Sequence, residues 1–281
     1  MFIQLAFVLT AIILGARLGG IGLGILGGLG LAVLTFGFGL APTSPPIDVM
    51  LMIVAVIAAA GCMQAAGGLD LMVKLAEKLL RKNPAQITIL SPIVTYLFTF
   101  IAGTGHVAYS VLPVIAEVAT ETKIRPERPL GIAVIASQQA ITASPISAAT
   151  VALLSMLSGF DISLFDILKI TVPCTLAGIL IGAFFSLRVG KELMDDPQFR
   201  RRVSLGEFDE RKLELTDVKN RTKAAISVGI FIFSTLCIVL FGSFESLRPT
   251  FTTNGERITL GMSAIIEICM LSAAALILLT T

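Results

Sequence analysis

Long apolar runs alternate with short polar segments along most of the chain, and this pattern predicts membrane-spanning helices. A helix that crosses a bilayer needs about 20 mostly apolar residues. The runs that approach or reach this length are Phe2–Ala16, Leu18–Leu40, Ile47–Gly67, Leu130–Leu157, Asp166–Leu187, Ala224–Phe244 and Ile258–Thr281. The predicted fold class is therefore an all-α polytopic membrane protein. No basic region precedes the first run and no convincing cleavage site follows it, so we expect this helix to be retained.

The composition excludes a soluble globular fold. Of the 281 residues 55% are hydrophobic and 14% are charged, with a mean hydropathy of +0.91, whereas soluble domains carry about 25% charged residues. The segment Arg188–Lys223 holds ten cations and eight anions. It is expected to be a solvated cytoplasmic connector, or alternatively the docking site of a cytoplasmic or sensory partner. We expect no nucleic-acid partner, no cofactor and no metal, since the chain has a single histidine and four cysteines without metal-binding spacing.

Residues 86–119 are apolar but too long for one span and too short for two. The run is interrupted by Gly103-Thr104-Gly105-His106, and cations in short loops gather on the cytoplasmic side of a membrane. If the run enters and leaves on the cytoplasmic side, 18 cations lie inside and 3 outside; a single crossing gives 8 and 13. The charge distribution therefore predicts a re-entrant hairpin with a glycine-rich tip.

The span at 130–157 contains a second interruption, at Pro145. Proline removes a backbone donor and breaks helices. The polar side chains around this break are Ser137, Gln138, Gln139, Thr142, Ser144 and Ser147. A broken hairpin followed by a broken helix is typical of a transporter binding site. The alternative is that these side chains only bond neighbouring helices within the bundle.

At these residues the sequence resembles the Dcu family of anaerobic C4-dicarboxylate transporters. The resemblance extends along essentially the whole chain and is carried by the following stretches: Gly15–Gly20, Gln64–Asp70, Glu77–Pro84, Gly103–His106, Leu112–Ile115, Arg125–Pro129 and Ile141–Ser147. It implies a bacterial inner-membrane antiporter that exchanges fumarate, succinate, malate or aspartate during anaerobic growth. The expected partners are these substrates and the lipid bilayer, and a homo-oligomer remains open.

Carriers of this kind are built from two inverted repeats. We expect the first repeat at 1–157, with three spans, the hairpin and the broken helix. The second, at 158–281, would contain spans 166–187, 224–244 and 258–281 and the charged loop 188–223. Members of the family are longer than this chain, and the second repeat lacks a hairpin and a broken helix. The expectation is therefore an N-terminal fragment with half of the binding site.

A dicarboxylate needs donors that replace the hydration of its two anionic groups. Exposed backbone amides near a helix start are suitable, and hydroxyl and amide side chains add to them. The predicted substrate-binding residues are Gly103, Thr104, Gly105, His106, Ser137, Gln138, Gln139, Thr142, Ser144, Pro145 and Ser147. His106 would donate or titrate, or else it only caps the second leg of the hairpin.

Four charged residues form a second rank of predicted transport residues: Glu77, Arg81, Arg125 and Glu267. The first two belong to a predicted amphipathic helix, Asp70–Lys82, whose charged face is alternatively only solvated. Arg81 and Arg125 flank the feet of the hairpin. Glu267 lies within the last apolar run, where an acid marks an ion route or bonds a neighbouring helix.

Two other functions are alternatives to transport. A membrane sensor or assembly subunit would use the charged loop as its output. An intramembrane hydrolase would use a serine such as Ser144 with His106, but a nucleophile needs a base within hydrogen-bonding reach, and nothing in the sequence places the two together. We therefore expect a transporter and not an enzyme.

Overall fold

The computed structural model describes residues 2–45, 47–157, 160, 162–190, 192–204, 220–253 and 256–281. The chain divides into two compact units, Met1–Pro46 and Ile47–Thr281. In the first unit, α1 (Phe2–Leu18) is followed by α2 (Gly22–Ala32), which continues as a π-helical turn at Val33–Gly37. A Cβ atom at Gly15 would lie 2.9 Å from the Cα of Leu23, so glycine here allows α1 and α2 to approach closely.

The second unit contains ten helices among its described residues. They are α3 (Ile47–Ala65), α4 (Gly68–Lys82), α5 (Ile87–Ala102), α6 (His106–Glu121), α7 (Glu127–Ala143), α8 (Ala148–Met156), α9 (Leu164–Ser186), α10 (Pro197–Ser204), α11 (Arg221–Ser243) and α12 (Met262–Thr280). Short 3-10 turns lie at Pro84–Gln86, Leu193–Asp195 and Glu245–Leu247. Between α11 and α12, strands β1 (Thr250–Thr253) and β2 (Glu256–Thr259) form an antiparallel pair in which Phe251 lies opposite Ile258.

Six segments in the described part of the chain are long and apolar enough to cross a membrane. They are α3, α5 with its preceding turn, α7 together with α8, α9, α11 and α12, while α1 and α2 are shorter apolar helices. The prediction of a helical polytopic membrane protein is confirmed. The predicted start of the last span is wrong, because Ile258 belongs to β2 and the helix begins at Met262.

The amphipathic helix predicted at Asp70–Lys82 is confirmed as α4. It buries the apolar side chains of Met72, Val73, Ala76 and Leu80. On the charged face Asp70 and Lys78 are exposed, whereas Lys74, Glu77 and Arg81 are half-buried. Since one face is apolar and the other charged, this helix suits a position at the membrane surface. Part of the charged loop is helical, as α10 shows, and residues 205–219 of that loop lie outside the described residues.

Three clusters of buried apolar side chains form the core of the second unit. One joins α3, α11 and α12 around Met52, Phe231 and Met270. Another joins α4, α5 and α6 around Leu80 and Ile115. The third joins α5, α7 and α9 around Tyr96, Ala140 and Ile179. As a result α5 and α6 pack against each other and are held between α4 on one side and α7 on the other.

Candidate functional site: a cavity between the hairpin tip and the broken helix

Two glycines, Gly103 and Gly105, form the turn between α5 and α6. Gly103 ends α5 with φ +69°, in the left-handed region that glycine adopts without steric cost. A Cβ at this position would also lie 2.7 Å from Cγ1 of Ile146. Gly105 lies equally close to α7, since its Cβ would be 3.2 Å from Cδ1 of Ile141 and 3.4 Å from Nε2 of Gln138. The tip can therefore touch the broken helix only because it is built of glycine.

The interruption at Pro145 is an extended segment between two helices. Ser144 and Ser147 have ψ angles of 132° and 146°, and α8 starts after Ser147. The oxygen of Ser147 caps α8 by accepting a hydrogen bond from the backbone amide of Thr150 at 3.2 Å. The Thr150 hydroxyl in turn donates to the carbonyl of Thr142 at 3.1 Å. Thr150, which the sequence reasoning missed, thus bridges the two halves of the broken helix.

A cavity of about 650 Å³ lies between the hairpin tip, α3, the two halves of the broken helix and α12. Its wall is mainly apolar, with side chains such as Met52, Val56 and Ile266. The described polar residues in the wall are Gln64, Thr104, Tyr109, Ser110 and Gln138. None of the described lining residues is charged. We refer to this space as the tip cavity.

The predicted substrate-binding residues fall into two groups. Gly103, Thr104, Gly105 and Gln138 line the tip cavity. The first backbone amides of a helix have no partner within the helix, and because α6 begins at the tip, these amides lie at the edge of the cavity. The side chain of His106 lies outside the described residues, so its role stays a prediction.

The remaining predicted residues are not among the described lining of the cavity. Ser137 and Ser144 are buried and make hydrogen bonds to α5: the Thr99 hydroxyl donates to the Ser137 oxygen at 3.1 Å, and the Ser144 hydroxyl donates to the Phe100 carbonyl at 2.7 Å. Pro145 and Ser147 are also buried, while Gln139 and Thr142 are exposed. The serines therefore fasten the hairpin and the break, and Gln138 is the residue of α7 in this set that faces the cavity.

Arg81, at the end of α4, binds three carboxylates. Its guanidinium lies 2.9 Å from Glu77, 2.9 Å from Glu117 and 2.6 Å from Glu121. Burial by itself lowers the pKa of Arg81, but the hydrogen bonds from these carboxylates outweigh it and hold the pKa above its ordinary value. Since α5 starts just after Arg81 and both of the α6 carboxylates are in the last turns of that helix, the two feet of the hairpin lie at the same end. We refer to this group as the Arg81 clamp.

The other cations near the hairpin hold the segment that follows α9. Arg125 is 3.3 Å from Asp196 and 3.3 Å from Glu127. Arg128 is 8% exposed and donates to the carbonyls of Val189 at 2.7 Å and Gly190 at 3.0 Å. It also forms an ion pair with Glu192 at 3.0 Å. The sequence reasoning missed Arg128, because its partners are more than 60 residues away along the chain; we refer to residues 189–196 as the strap.

Glu267 lies away from the tip cavity. It is the sixth residue of α12, which starts at Met262, so it is closer to the start of the helix than its place in the apolar run indicated. Its neighbour Ile266 lines the cavity, whereas Glu267 is only half-buried and is not part of the described lining. The structure does not bring Glu267 together with the other predicted residues.

Comparison with known proteins agrees with this architecture of apolar helices around a cavity. The anaerobic C4-dicarboxylate transporter DcuB of Escherichia coli O6:H1 is 43% identical over 288 residues, which are 99% of this chain and 64% of the relative. The C4-dicarboxylate transporter DcuA of Wolinella succinogenes is 45% identical over 274 residues, covering 98% of this chain and 62% of the relative. The chain thus spans somewhat less than two thirds of the length of these relatives. No solved structure matches.

A family model also covers the chain, and it spans residues 1–281. Its description is the anaerobic C4-dicarboxylate membrane transporter. With its six apolar helices, this match indicates a multi-pass protein of the bacterial inner membrane. The chain belongs to the family of anaerobic C4-dicarboxylate membrane transporters.

Proposed function

We propose that the chain belongs to a secondary transporter that exchanges C4-dicarboxylates, such as fumarate, succinate, malate and aspartate, across the bacterial inner membrane under anaerobic conditions. The observation that carries the proposal is the tip cavity. It combines a volume of about 650 Å³ with a glycine-rich turn, a helix start and a broken helix. Such a combination is suited to an anionic substrate, because backbone amides at helix starts replace its hydration.

The hairpin is re-entrant in this proposal. The Arg81 clamp supports it, since one guanidinium binds both the end of α4 and the end of α6. Both feet would then lie at the cytoplasmic surface and the tip within the membrane. Irregular backbone at membrane depth needs a protein or water-filled surrounding, and the tip has both the broken helix and the cavity beside it.

A boundary at residue 157 between the two repeats does not give an inverted pair. With a re-entrant hairpin, residues 2–157 cross the membrane four times, so a repeat that starts at 158 would have the same orientation as the first. An inverted pair needs an odd number of crossings in each repeat. We place the boundary after α9, within the charged loop; in support, α9 packs mainly against α7 and α5 of the first repeat. Docking of a cytoplasmic or sensory partner at 188–223 stays a prediction.

Counterflow in proteoliposomes tests the transport proposal. The full-length protein is reconstituted into vesicles loaded with fumarate, and uptake of radiolabelled succinate is measured. Uptake is expected to depend on the internal dicarboxylate and to be absent from vesicles loaded with acetate or prepared without protein. Uptake that is equal in fumarate-loaded and acetate-loaded vesicles would exclude an exchanger, and no uptake in any vesicle would exclude a succinate transporter.

A further inference from the structure

Two glutamine side chains in the wall of the tip cavity have no hydrogen-bond partner within the described part of the chain. Gln64 lies near the end of α3, and Gln138 lies on α7 beside the hairpin tip. Hydrogen bonds are found for the nearby hydroxyls of Ser144, Ser147 and Thr150. Those hydroxyls belong to buried residues, whereas both glutamines are exposed, so their amide groups can bind a ligand that enters the cavity.

We infer that Gln64 and Gln138 form a pair of substrate-binding residues that hold a carboxylate group from opposite walls of the tip cavity. The inference rests on the proposed function and adds to it Gln64, which begins one of the stretches that carry the family resemblance but was not among the predicted binding residues. The ligand it specifies is a carboxylate bound by neutral N–H donors, because none of the described lining residues is charged. Each amide has two donors, so the pair can occupy both oxygens of one carboxylate.

The position of each amide agrees with this role. Nε2 of Gln138 lies 3.4 Å from the place where a Cβ at Gly105 would stand, so the amide reaches the tip, where α6 begins. Gln64 comes from α3, which packs mainly against α12. A carboxylate between them would join the hairpin side of the cavity to the α3 side. Substrate binding would thereby hold the two walls together.

The chain contains its own matched control. Gln86 is also an exposed glutamine, but it lies in the turn before α5, at a foot of the hairpin, and it is not among the described lining residues. Replacing a glutamine by glutamate keeps the shape of the side chain, removes the amide donors and adds a negative charge. At Gln64 or Gln138 this charge would repel a dicarboxylate, whereas at Gln86 it would not face the cavity.

The test measures succinate exchange by the full-length protein with Gln64→Glu, Gln138→Glu or Gln86→Glu. A hydrogen bond to a charged group is strong enough to change affinity by about tenfold or more. We therefore expect KM for succinate to rise at least about tenfold for the first two variants and to stay within about twofold for the third. If Gln64→Glu does not reach the membrane, Gln64→Leu decides the same question without a new charge, and the same rise in KM is expected.

The outcomes separate this inference from the proposed function. If the wild-type protein exchanges succinate and the Gln64 variants match Gln86→Glu in KM, the role of Gln64 is refuted and the transport proposal stands. If the wild-type protein shows no exchange, the proposed function fails and the inference fails with it. The apparent midpoint of thermal unfolding is measured in detergent for each variant, and a higher KM at an unchanged midpoint supports binding over a structural role.

Discussion

Replacing Gly103 by alanine tests the contact between the hairpin tip and the broken helix. An alanine in the left-handed region, where Gly103 lies at φ +69°, costs about 1–2 kcal/mol. Its Cβ would also stand 2.7 Å from Cγ1 of Ile146, and forcing an extra methyl into a packed site costs about 1–3 kcal/mol. The two contributions together predict that Gly103→Ala destabilises the protein by about 2–5 kcal/mol.

The assay is thermal unfolding of the purified full-length protein in detergent, and Gly61→Ala is the matched control. Gly61 lines the same cavity, but it lies within α3 and no atom lies within 4 Å of its Cβ position. A glycine-to-alanine change within a helix raises the free energy of unfolding by about 0.5–1 kcal/mol. The midpoint is therefore expected to fall by several degrees for Gly103→Ala and to stay level or rise for Gly61→Ala.

A double mutant separates the two causes. Ile146→Ala removes the atom that the new methyl would meet, although it is destabilising by itself, by about 2–5 kcal/mol. If the steric contact is as described, Gly103→Ala and Ile146→Ala together cost less than the sum of the single changes, by about 1–3 kcal/mol. Simple additivity of the two changes would refute the contact, and a Gly103→Ala midpoint equal to wild type would refute the whole argument.

Three further predictions concern the accessibility of the tip and the two arginine contacts. In a cysteine-free full-length protein, Thr104→Cys should react with a small thiol reagent and be protected by succinate, whereas Gln86→Cys, at an exposed residue outside the cavity lining, should react without protection. Equal labelling of Thr104→Cys with and without succinate would remove the tip from the substrate site. Arg81→Gln should lower stability by about 1–2 kcal/mol after solvent screening, with Lys82→Gln as a neutral control, and equal unfolding midpoints of these two variants would contradict the clamp. Arg128→Gln should cost about 2–4 kcal/mol, because its acceptors lose a charged donor, and should speed proteolysis of the strap; an unchanged cleavage rate would contradict its anchoring role.

The spans and the hairpin turn were predictable from sequence because they depend on local features. Apolar length determines whether a helix can cross a bilayer, and Gly103-Thr104-Gly105 can turn tightly whatever surrounds it. The predicted start of the last span was wrong because that prediction rested on hydropathy alone. Ile258 is as apolar in a strand as in a helix, and hydropathy alone does not distinguish the two.

The polar side chains of the site were harder to sort from sequence, because their roles depend on tertiary neighbours. Ser144 and Gln138 are equally polar and belong to the same break, yet Ser144 bonds to Phe100 and Gln138 faces the cavity. Gln64 begins one of the stretches that carry the family resemblance, but a single amide near the end of an apolar helix does not by itself indicate binding, since its direction depends on how α3 packs. Arg128 was missed for the same reason, because its acceptors come from a distant loop.

The charges of the hairpin region and the polar groups of the tip cavity serve different purposes. Arg81 is bound to three carboxylates, so the clamp as a whole carries more negative than positive charge. A dicarboxylate would be repelled by this group unless Arg81 first released its partners, and a hydrogen bond to a charged group is among the stronger contacts in a protein. The cavity offers neutral amides and backbone N–H groups, which attract a carboxylate without competing anions. In the proposed arrangement Arg81 would hold the feet of the hairpin, and the substrate would be bound at its tip.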